Sequence, residues 1–210
     1  MNFKARTASI LCLLTFLGNV LYAQDAPKKY ALLIAVTKYS HSGMNQPVPL
    51  QFPEDDAGAF STVLKASGYE VDILLGRQAK RKAIRDMLDA LGSKGNEGGT
   101  VIVGLWGHGV EFQGDDDSRF CPYDTTLRVV RQANGDPVRV DNQPVSEPDP
   151  QSLIGMSEVL AALKSAGAGN RMLLADCCRN SPFAARALGH RAFGDKIKVS
   201  DLPRNTVALF

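Results

Sequence analysis

Two short stretches of the sequence carry residue types that can perform nucleophilic chemistry. The stretch LLADCCRNSP contains the adjacent cysteines Cys177 and Cys178, and VGLWGHGVEF places His108 between two glycines. A thiol beside an imidazole is the minimal machinery for acyl transfer, because the imidazole takes the thiol proton and the thiolate attacks a carbonyl. Two purely structural interpretations are also possible: the glycines form a tight turn around the histidine, and the cysteines are only small buried neighbours. A zinc site is a less well supported interpretation, because one histidine and two adjacent cysteines lack the usual spacing of zinc ligands.

The rest of the chain must bring these stretches together, and it alternates between strand and helix patterns. Continuous apolar runs predict strands at residues 30–36, 69–75, 100–106, 171–175 and 205–210. Apolar residues at helical spacing predict helices over residues 53–67, 84–91 and 156–163. This order predicts an α/β fold, a mostly parallel sheet with helices on both faces. The polar insertion at about 111–152 predicts loops and a hairpin that follows Asn134-Gly135.

The predicted sheet brings the histidine and the cysteines to one edge. The third strand runs into Gly107-His108-Gly109, and the fourth runs into Asp176-Cys177-Cys178. Ligands of open parallel sheets bind outside the carboxyl ends of the strands, and neighbouring strands lie about 4.8 Å apart. If these two strands pair, His108 therefore meets one of the cysteines. The glycines beside His108 allow close approach of a substrate and supply a backbone amide to a developing oxyanion.

The first 23 residues have the pattern of a secretory signal peptide. Lys4 and Arg6 precede a short apolar stretch at residues 10–20, and a small residue, Ala23, stands at the expected cleavage point. An N-terminal membrane anchor is the alternative, but the stretch is short for a bilayer span. We therefore expect export to the periplasm or the extracellular space.

Charge and cysteine content limit the partners of the exported chain. Removal of residues 1–23 takes away two cations and no acid, which lowers the formal net charge from +2 to 0. We therefore expect neither a nucleic-acid partner nor membrane binding after the signal is removed. The remaining cysteines are Cys121, Cys177 and Cys178, and an odd number leaves at least one free thiol.

Five stretches together resemble the caspase-like cysteine peptidases, which include metacaspases and bacterial relatives of the peptidase C14 type. VGLWGHGVEF is similar to their strand-plus-histidine motif, and LLADCCRNSP is similar to their strand-plus-cysteine motif, D-x-C-R-N. The other matching stretches, in chain order, are KKYALLIAVTKY, PEDDAGAFSTVLKASGYEV and RFCPYD. The resemblance covers residues 28–210 and implies a caspase-like three-layer sandwich. It also implies a catalytic domain that is truncated at its C-terminal end.

The resemblance assigns roles residue by residue. Cys178 corresponds to the nucleophile and His108 to the catalytic histidine, while the backbone amides of Gly109 and Cys178 correspond to the oxyanion hole. Cys177 falls at the variable position of the motif, which favours a small buried neighbour. The resemblance supplies no third catalytic residue.

The same resemblance implies a substrate preference. Metacaspases that cut after Arg or Lys use two acids to bind the substrate side chain, and the matching positions here are Asp56 and Asp176. Two carboxylates suit this role because they attract a guanidinium. Relatives that cut after Asp use an Arg before the first helix, and residues 48–52 contain none. For Asp56 the alternative is a plain acid in the first turn of a helix.

Some metacaspases also bind Ca²⁺, which bears on the run Asp115–Asp117 and on Asp124. These acids could supply oxygen ligands, but the family's downstream ligand falls near Ala184 and Ala185. We therefore expect no cofactor and no metal. The function predicted from the sequence is a cysteine-type endopeptidase with a peptide or protein substrate. The alternative is a non-catalytic caspase-like module that binds peptides or partners.

Overall fold

The computed structural model of the protein describes residues 26–46, 49–112, 114–178, 193–194 and 197–210. The predicted signal peptide at residues 1–23 lies outside the described residues, as do Ala184 and Ala185. Among the described helices, none combines the length and the apolar character that a bilayer crossing needs.

The described residues form eleven strands and three α-helices. The strands are β1 (Lys29–Ala35), β2 (Glu70–Leu75), β3 (Thr100–Glu111), β4 (Ser118–Phe120), β5 (Leu127–Val129), β6 (Arg139–Val140), β7 (Gln143–Pro144), β8 (Ser146–Pro148), β9 (Ile154–Gly155), β10 (Asn170–Cys178) and β11 (Thr206–Leu209). The helices are α1 (Pro53–Ala66), α2 (Arg81–Ala90) and α3 (Met156–Ser165).

The main sheet has the strand order β11-β10-β3-β1-β2, and every pair along this path is parallel. On one face, here called the α1 face, Ala57 and Leu64 of α1 pack on Leu33 and Trp106 of the sheet. On the opposite face, the α2/α3 face, a larger apolar cluster joins both other helices to the sheet. The members contributed by α2 and α3 include Ile84, Leu88, Val159 and Leu163. The predicted α/β sandwich, with helices on both faces of a mostly parallel sheet, is confirmed.

The start of α1 is tied to the carboxyl end of β1. Pro53 stands in the first turn and suits it, because its fixed φ matches the helix and its missing N–H would be unpaired there. The Thr37 N–H donates to Glu54 Oε1 at 3.0 Å, and the Glu54 N–H donates to Thr37 Oγ1 at 3.2 Å. The first turn of α1, which includes Asp56, therefore lies at the same edge of the sheet as the strand ends.

The two strands that carry the candidate residues are longer than the apolar runs predict. We expected β3 to end at Trp106 and β10 at Ala175, whereas they continue to Glu111 and Cys178. β3 continues because Gly109 to Glu111 pair with the antiparallel strand β4. His108 consequently lies inside a strand and not in a turn after it.

Gly107 allows this extension. Its φ is +152°, and a Cβ there would lie 2.9 Å from the Tyr39 hydroxyl oxygen. A side chain at this position would therefore be strained by the backbone and by its neighbour.

The insertion contains the predicted hairpin after Asn134-Gly135. Asn134-Gly135 lies in a turn that the Arg131–Pro137 bridge flanks, and a two-residue hairpin turn follows at Asp141-Asn142, between β6 and β7. Both of these residues have positive φ, 49° and 64°, which a tight hairpin of this kind requires. Asp and Asn tolerate that conformation better than other residues with a Cβ, so the sequence did carry a signal for the turn.

The two-sided burial of β1 leads to a prediction about stability. Leu32 is fully buried within the α2/α3 face. We expect Leu32→Ala to lower the free energy of unfolding by about 2–5 kcal/mol, because transfer and cavity costs add. The matched control is Val63→Ala on α1, where the side chain is 60% exposed. We expect it to change stability by less than about 0.5 kcal/mol. Urea unfolding followed by circular dichroism measures both, and equal losses would contradict the described core.

Candidate active site

The register between β3 and β10 brings the predicted catalytic residues together. The pairing runs from Asn170 opposite Thr100 to Cys178 opposite His108, without interruption. Backbones of paired strands lie about 4.8 Å apart. The histidine and the second cysteine of the pair are therefore direct neighbours across two parallel strands, at the carboxyl edge of the sheet.

His108 is held on its backbone and on its ring. Its backbone N–H donates to the Tyr39 hydroxyl oxygen at 2.7 Å, and its ring stacks on the Tyr39 ring with centroids 5.0 Å apart and planes 18° from parallel. Ring atom Nε2 lies 3.1 Å from the Met44 carbonyl oxygen. Because a carbonyl oxygen can only accept, this contact assigns the proton to Nε2 and leaves a lone pair on Nδ1.

The second ring nitrogen of His108 is the one available for chemistry. The side chain is only 6% exposed, and Nδ1 has no hydrogen-bond partner among the described residues. Burial lowers the pKa of His108 below its ordinary value, while the bond to the Met44 carbonyl acts in the opposite direction. A neutral imidazole with a free lone pair is the form that can accept a thiol proton.

The Met44 carbonyl is a functional group that the sequence did not reveal. Met44 lies in a short 3-10 helix, Ser42–Asn45, and is fully buried. In the sequence, the Met44 side chain indicates only an apolar core residue. Its backbone carbonyl gives no signal either, because every residue carries one. The orienting role of this group depends on where the segment after β1 passes, which no local pattern indicates.

Cys121 and Cys177 are both buried but differ in their surroundings. Cys177 is 7% exposed, its side chain belongs to the α2/α3 face, and its Sγ lies 4.0 Å from the Leu105 carbonyl oxygen. Its predicted burial is confirmed. Cys121 is fully buried, and burial raises the pKa of its thiol, which disfavours the reactive thiolate. Cys178 is the cysteine whose backbone lies opposite His108.

Asp176 and Asp56 both lie at the carboxyl edge, on the α1 side of the sheet. Strand alternation puts Asp176 on the α1 face with Leu174, which packs in that cluster. Both carboxylate residues are exposed to solvent. Trp106 is the residue opposite Asp176 in the register. Its ring packs over Gly104, earlier in β3, and therefore points away from the carboxyl edge of the sheet.

Gly109, the predicted oxyanion-hole residue, is covered on one side by an aromatic ring. A Cβ at position 109 would overlap the Phe193 ring. The neighbouring Gly194 N–H donates to Glu111 Oε1 at 3.1 Å, which fixes this segment against the end of β3. Close packing of backbone and ring therefore requires glycine at 109. The packing role of this residue was not predicted.

Three of the four acids considered for Ca²⁺ accept hydrogen bonds from other residues. Asp115 accepts two hydrogen bonds from Arg119, and Asp117 accepts from the backbone N–H and the hydroxyl of Ser157. Asp124 accepts from the Arg81 N–H at the start of α2. Within the described ranges, no three His, Cys, Asp or Glu side chains are grouped so that they could hold a metal ion.

A parallel sheet between helical layers, with His108 and Cys178 paired at neighbouring strand ends, defines a three-layer α/β protein. The family model of the caspase domain, of the C14 peptidase class, matches residues 28–206. The chain belongs to the caspase-domain family.

The other comparisons add the fold alone. The crystal structure of protein GSU0716 from Geobacter sulfurreducens is similar, with a TM-score of 0.51 and 18% sequence identity. The similarity covers 72% of this chain and 51% of that one, so this chain spans about half the length of that protein. A search of curated proteins gave no match.

Burial of His108 in its neutral form predicts a pH-dependent stability. In the unfolded chain the imidazole binds a proton below about pH 6.5, whereas the lowered pKa keeps the folded form neutral to lower pH. The free energy of unfolding should therefore fall as the pH falls from about 6.5 toward the lowered pKa.

The comparison is between the wild type and His108→Gln, which keeps a side-chain donor for the Met44 carbonyl but does not titrate. Denaturant unfolding at about pH 7.5 and about pH 5.5 measures the loss, which should be smaller in the variant. An equal loss in both proteins would show that the ring is not buried as a neutral group.

Proposed function

We propose that this protein is a cysteine endopeptidase in which Cys178 is the nucleophile and His108 its proton acceptor. The observation that carries the proposal is the register of β3 and β10, which sets the two residues opposite one another. Membership of the caspase-domain family supports the same chemistry. The surroundings of His108 also support the proposal, because they favour the neutral ring and leave Nδ1 without another partner in the described part of the chain.

The proposed reaction has two stages with one proton carrier. The Cys178 thiol gives its proton to Nδ1 of His108, and the thiolate attacks the scissile carbonyl carbon to form a tetrahedral oxyanion. Backbone amides of Gly109 and Cys178 stabilise that oxyanion. The C–N bond then breaks, and the leaving amine takes the proton from His108. Water hydrolyses the remaining thioester, gives one proton back through His108, and releases the acid and the free thiol.

We also propose that the enzyme cleaves after Arg or Lys. Asp176 lies two residues before the nucleophile on the α1 face, and Asp56 lies in the first turn of α1 at the same edge. A guanidinium entering this region carries the charge opposite to that of both carboxylates, and its contacts are worth about 1.5–3 kcal/mol each once the bound peptide shields them from water. An aspartate side chain would instead be repelled. Since about 1.4 kcal/mol is a factor of ten, the preference should be at least about tenfold.

The choice of nucleophile can be tested within the cysteine pair. We expect Cys178→Ala to abolish both peptide cleavage and labelling by a thiol-directed peptidyl electrophile. Cys177→Ala is the matched control and should retain most of the activity, because the Cys177 side chain packs in the core. Mass spectrometry of the labelled peptide identifies the modified residue.

The opposite pattern, with Cys177→Ala inactive and Cys178→Ala active, would overturn the assignment within the pair. A folded wild type that neither cleaves nor labels would favour the alternative of a peptide-binding module without catalysis.

Substrate preference can be tested with fluorogenic peptides that differ only in the residue before the scissile bond. We expect kcat/KM to be at least about tenfold higher for Arg or Lys than for Asp. Asp176→Asn should reduce that preference, because it removes one charge at nearly constant shape. The matched control is Asp89→Asn on α2, which lies on the other side of the sheet. An Asp peptide that is cleaved as well as the Arg peptide would refute the preference, as would an unchanged preference in Asp176→Asn.

A further inference from the structure

Asn45 closes the segment after β1 into a compact loop with its side-chain amide. Its Oδ1 accepts from the Tyr39 N–H at 2.8 Å. Its Nδ2 donates to the Tyr39 carbonyl at 3.0 Å and to the His41 carbonyl at 3.3 Å. One amide group therefore fixes both backbone polar groups of Tyr39, six residues earlier in the chain.

The two ends of this loop are the groups that hold His108. Tyr39 supplies the stacked ring and the hydroxyl that accepts the His108 N–H, and Met44 supplies the carbonyl that faces Nε2. The imidazole is thus held from two points, five residues apart. The hydrogen bonds of Asn45, which is the neighbour of Met44, help to set the distance between these points.

Burial of Tyr39 and Met44 in the core, and a hydrogen bond from the Gly43 N–H to His41 Nδ1 at 3.1 Å, also hold parts of the loop. The 3-10 helix Ser42–Asn45 is a single turn, with the Met44 N–H donating to the His41 carbonyl at 3.0 Å. Such short 3-10 turns have poor hydrogen-bond geometry and little stability of their own. Ser40 ties the outer part of the loop to the Tyr123 carbonyl, also at 3.0 Å. The side chain of Asn45 adds a direct hydrogen-bonded connection between the Tyr39 end and the Met44 end of the loop.

We propose that Asn45 is a positioning residue for His108. It touches neither the substrate nor the reacting atoms. It holds the Met44 carbonyl where this oxygen keeps the imidazole proton on Nε2 and the lone pair on Nδ1. The catalytic consequence rests on the function proposed above, whereas the effect on the imidazole itself does not.

Loss of the Asn45 amide has a defined effect on the imidazole. A loosened loop admits water to the ring, and burial is the main cause that lowers the pKa of His108. The pKa should therefore rise toward its ordinary value of about 6.5. Without a fixed carbonyl at Nε2, the neutral ring should also populate the tautomer with its proton on Nδ1. That tautomer cannot accept a proton from Cys178.

The experiment compares two variants of Asn45 with a control of the same kind. Asn45→Ala removes all three bonds, and Asn45→Asp keeps the acceptor for the Tyr39 N–H but removes both donated bonds. The control is Asn96→Ala, because Asn96 makes a similar clamp at the amino end of β1. Its Oδ1 accepts from the Lys28 N–H at 3.0 Å and its Nδ2 donates to the Ala26 carbonyl at 2.9 Å.

The first readout is nitrogen NMR of the His108 ring in the full chain, assigned by its absence in His108→Gln. We expect a dominant Nε2–H tautomer in the wild type and in Asn96→Ala. In Asn45→Ala, and to a smaller extent in Asn45→Asp, we expect mixed tautomers and a higher pKa. The Asp variant also keeps the test valid if the Ala variant does not fold.

The second readout is the pH dependence of peptide cleavage. We expect kcat to fall by about tenfold to a hundredfold in Asn45→Ala with KM nearly unchanged, since small misplacements of catalytic groups cost this much. The acid limb of kcat/KM should move to higher pH, as the pKa of His108 does. Asn96→Ala should change neither.

A wild-type ring spectrum in both folded Asn45 variants would overturn the proposal, as would equal changes in Asn96→Ala. The two inferences would be separated by one combination of results: the wild type has the Nε2–H tautomer, Asn45→Ala loses it, and the wild type cleaves no peptide. In that case the positioning role stands and the proposed peptidase function fails.

Discussion

The pairing of β3 with β10 is the interaction on which the rest of this structure depends. Nine consecutive residues of β10 follow β3 in register, and the last of these pairs sets Cys178 opposite His108. A shift of one residue would turn every side chain of β10 to the other face. Asp176 would then leave the α1 face and Cys177 would leave the core. Such a shift is unfavourable because it would turn the exposed Asp176 carboxylate toward the α2/α3 face, and this cost holds the register that the candidate site needs.

The second constraint is the cost of burying an imidazole at the end of that register. A buried polar ring is tolerated when its hydrogen bonds are satisfied, and here the segment after β1 meets most of that need. Tyr39 covers the ring and accepts the backbone N–H, and the Met44 carbonyl faces Nε2. Within the described part of the chain, the ring nitrogen left without a partner is Nδ1. A buried polar group without a hydrogen bond lowers the stability of a protein. Proteins retain such groups mainly at functional sites.

Much of the fold could be predicted because its elements have strong local patterns. β1 is apolar from Tyr30 to Ala35 since this part is buried on both faces, and α1 begins at a proline followed by three acids. The ends of β3 and β10 were predicted too early, because polar and glycine residues there resemble a turn. They are extended by pairing with each other and with β4, which is a tertiary interaction. The predictions of export, of a signal peptide and of substrate preference remain predictions.

By itself, the sequence determined the order of strands and helices, the family motifs, and which residues stand at the strand ends. These follow from side-chain type and spacing, which are properties of the chain. The tertiary structure alone decided which groups surround His108. The Met44 carbonyl and the clamp by Asn45 have no side-chain pattern of their own, because a backbone oxygen is common to all residues and an Asn in a loop is ordinary. Their role arises only when the loop after β1 folds over a histidine more than sixty residues away, and that contact is set by packing and not by local sequence.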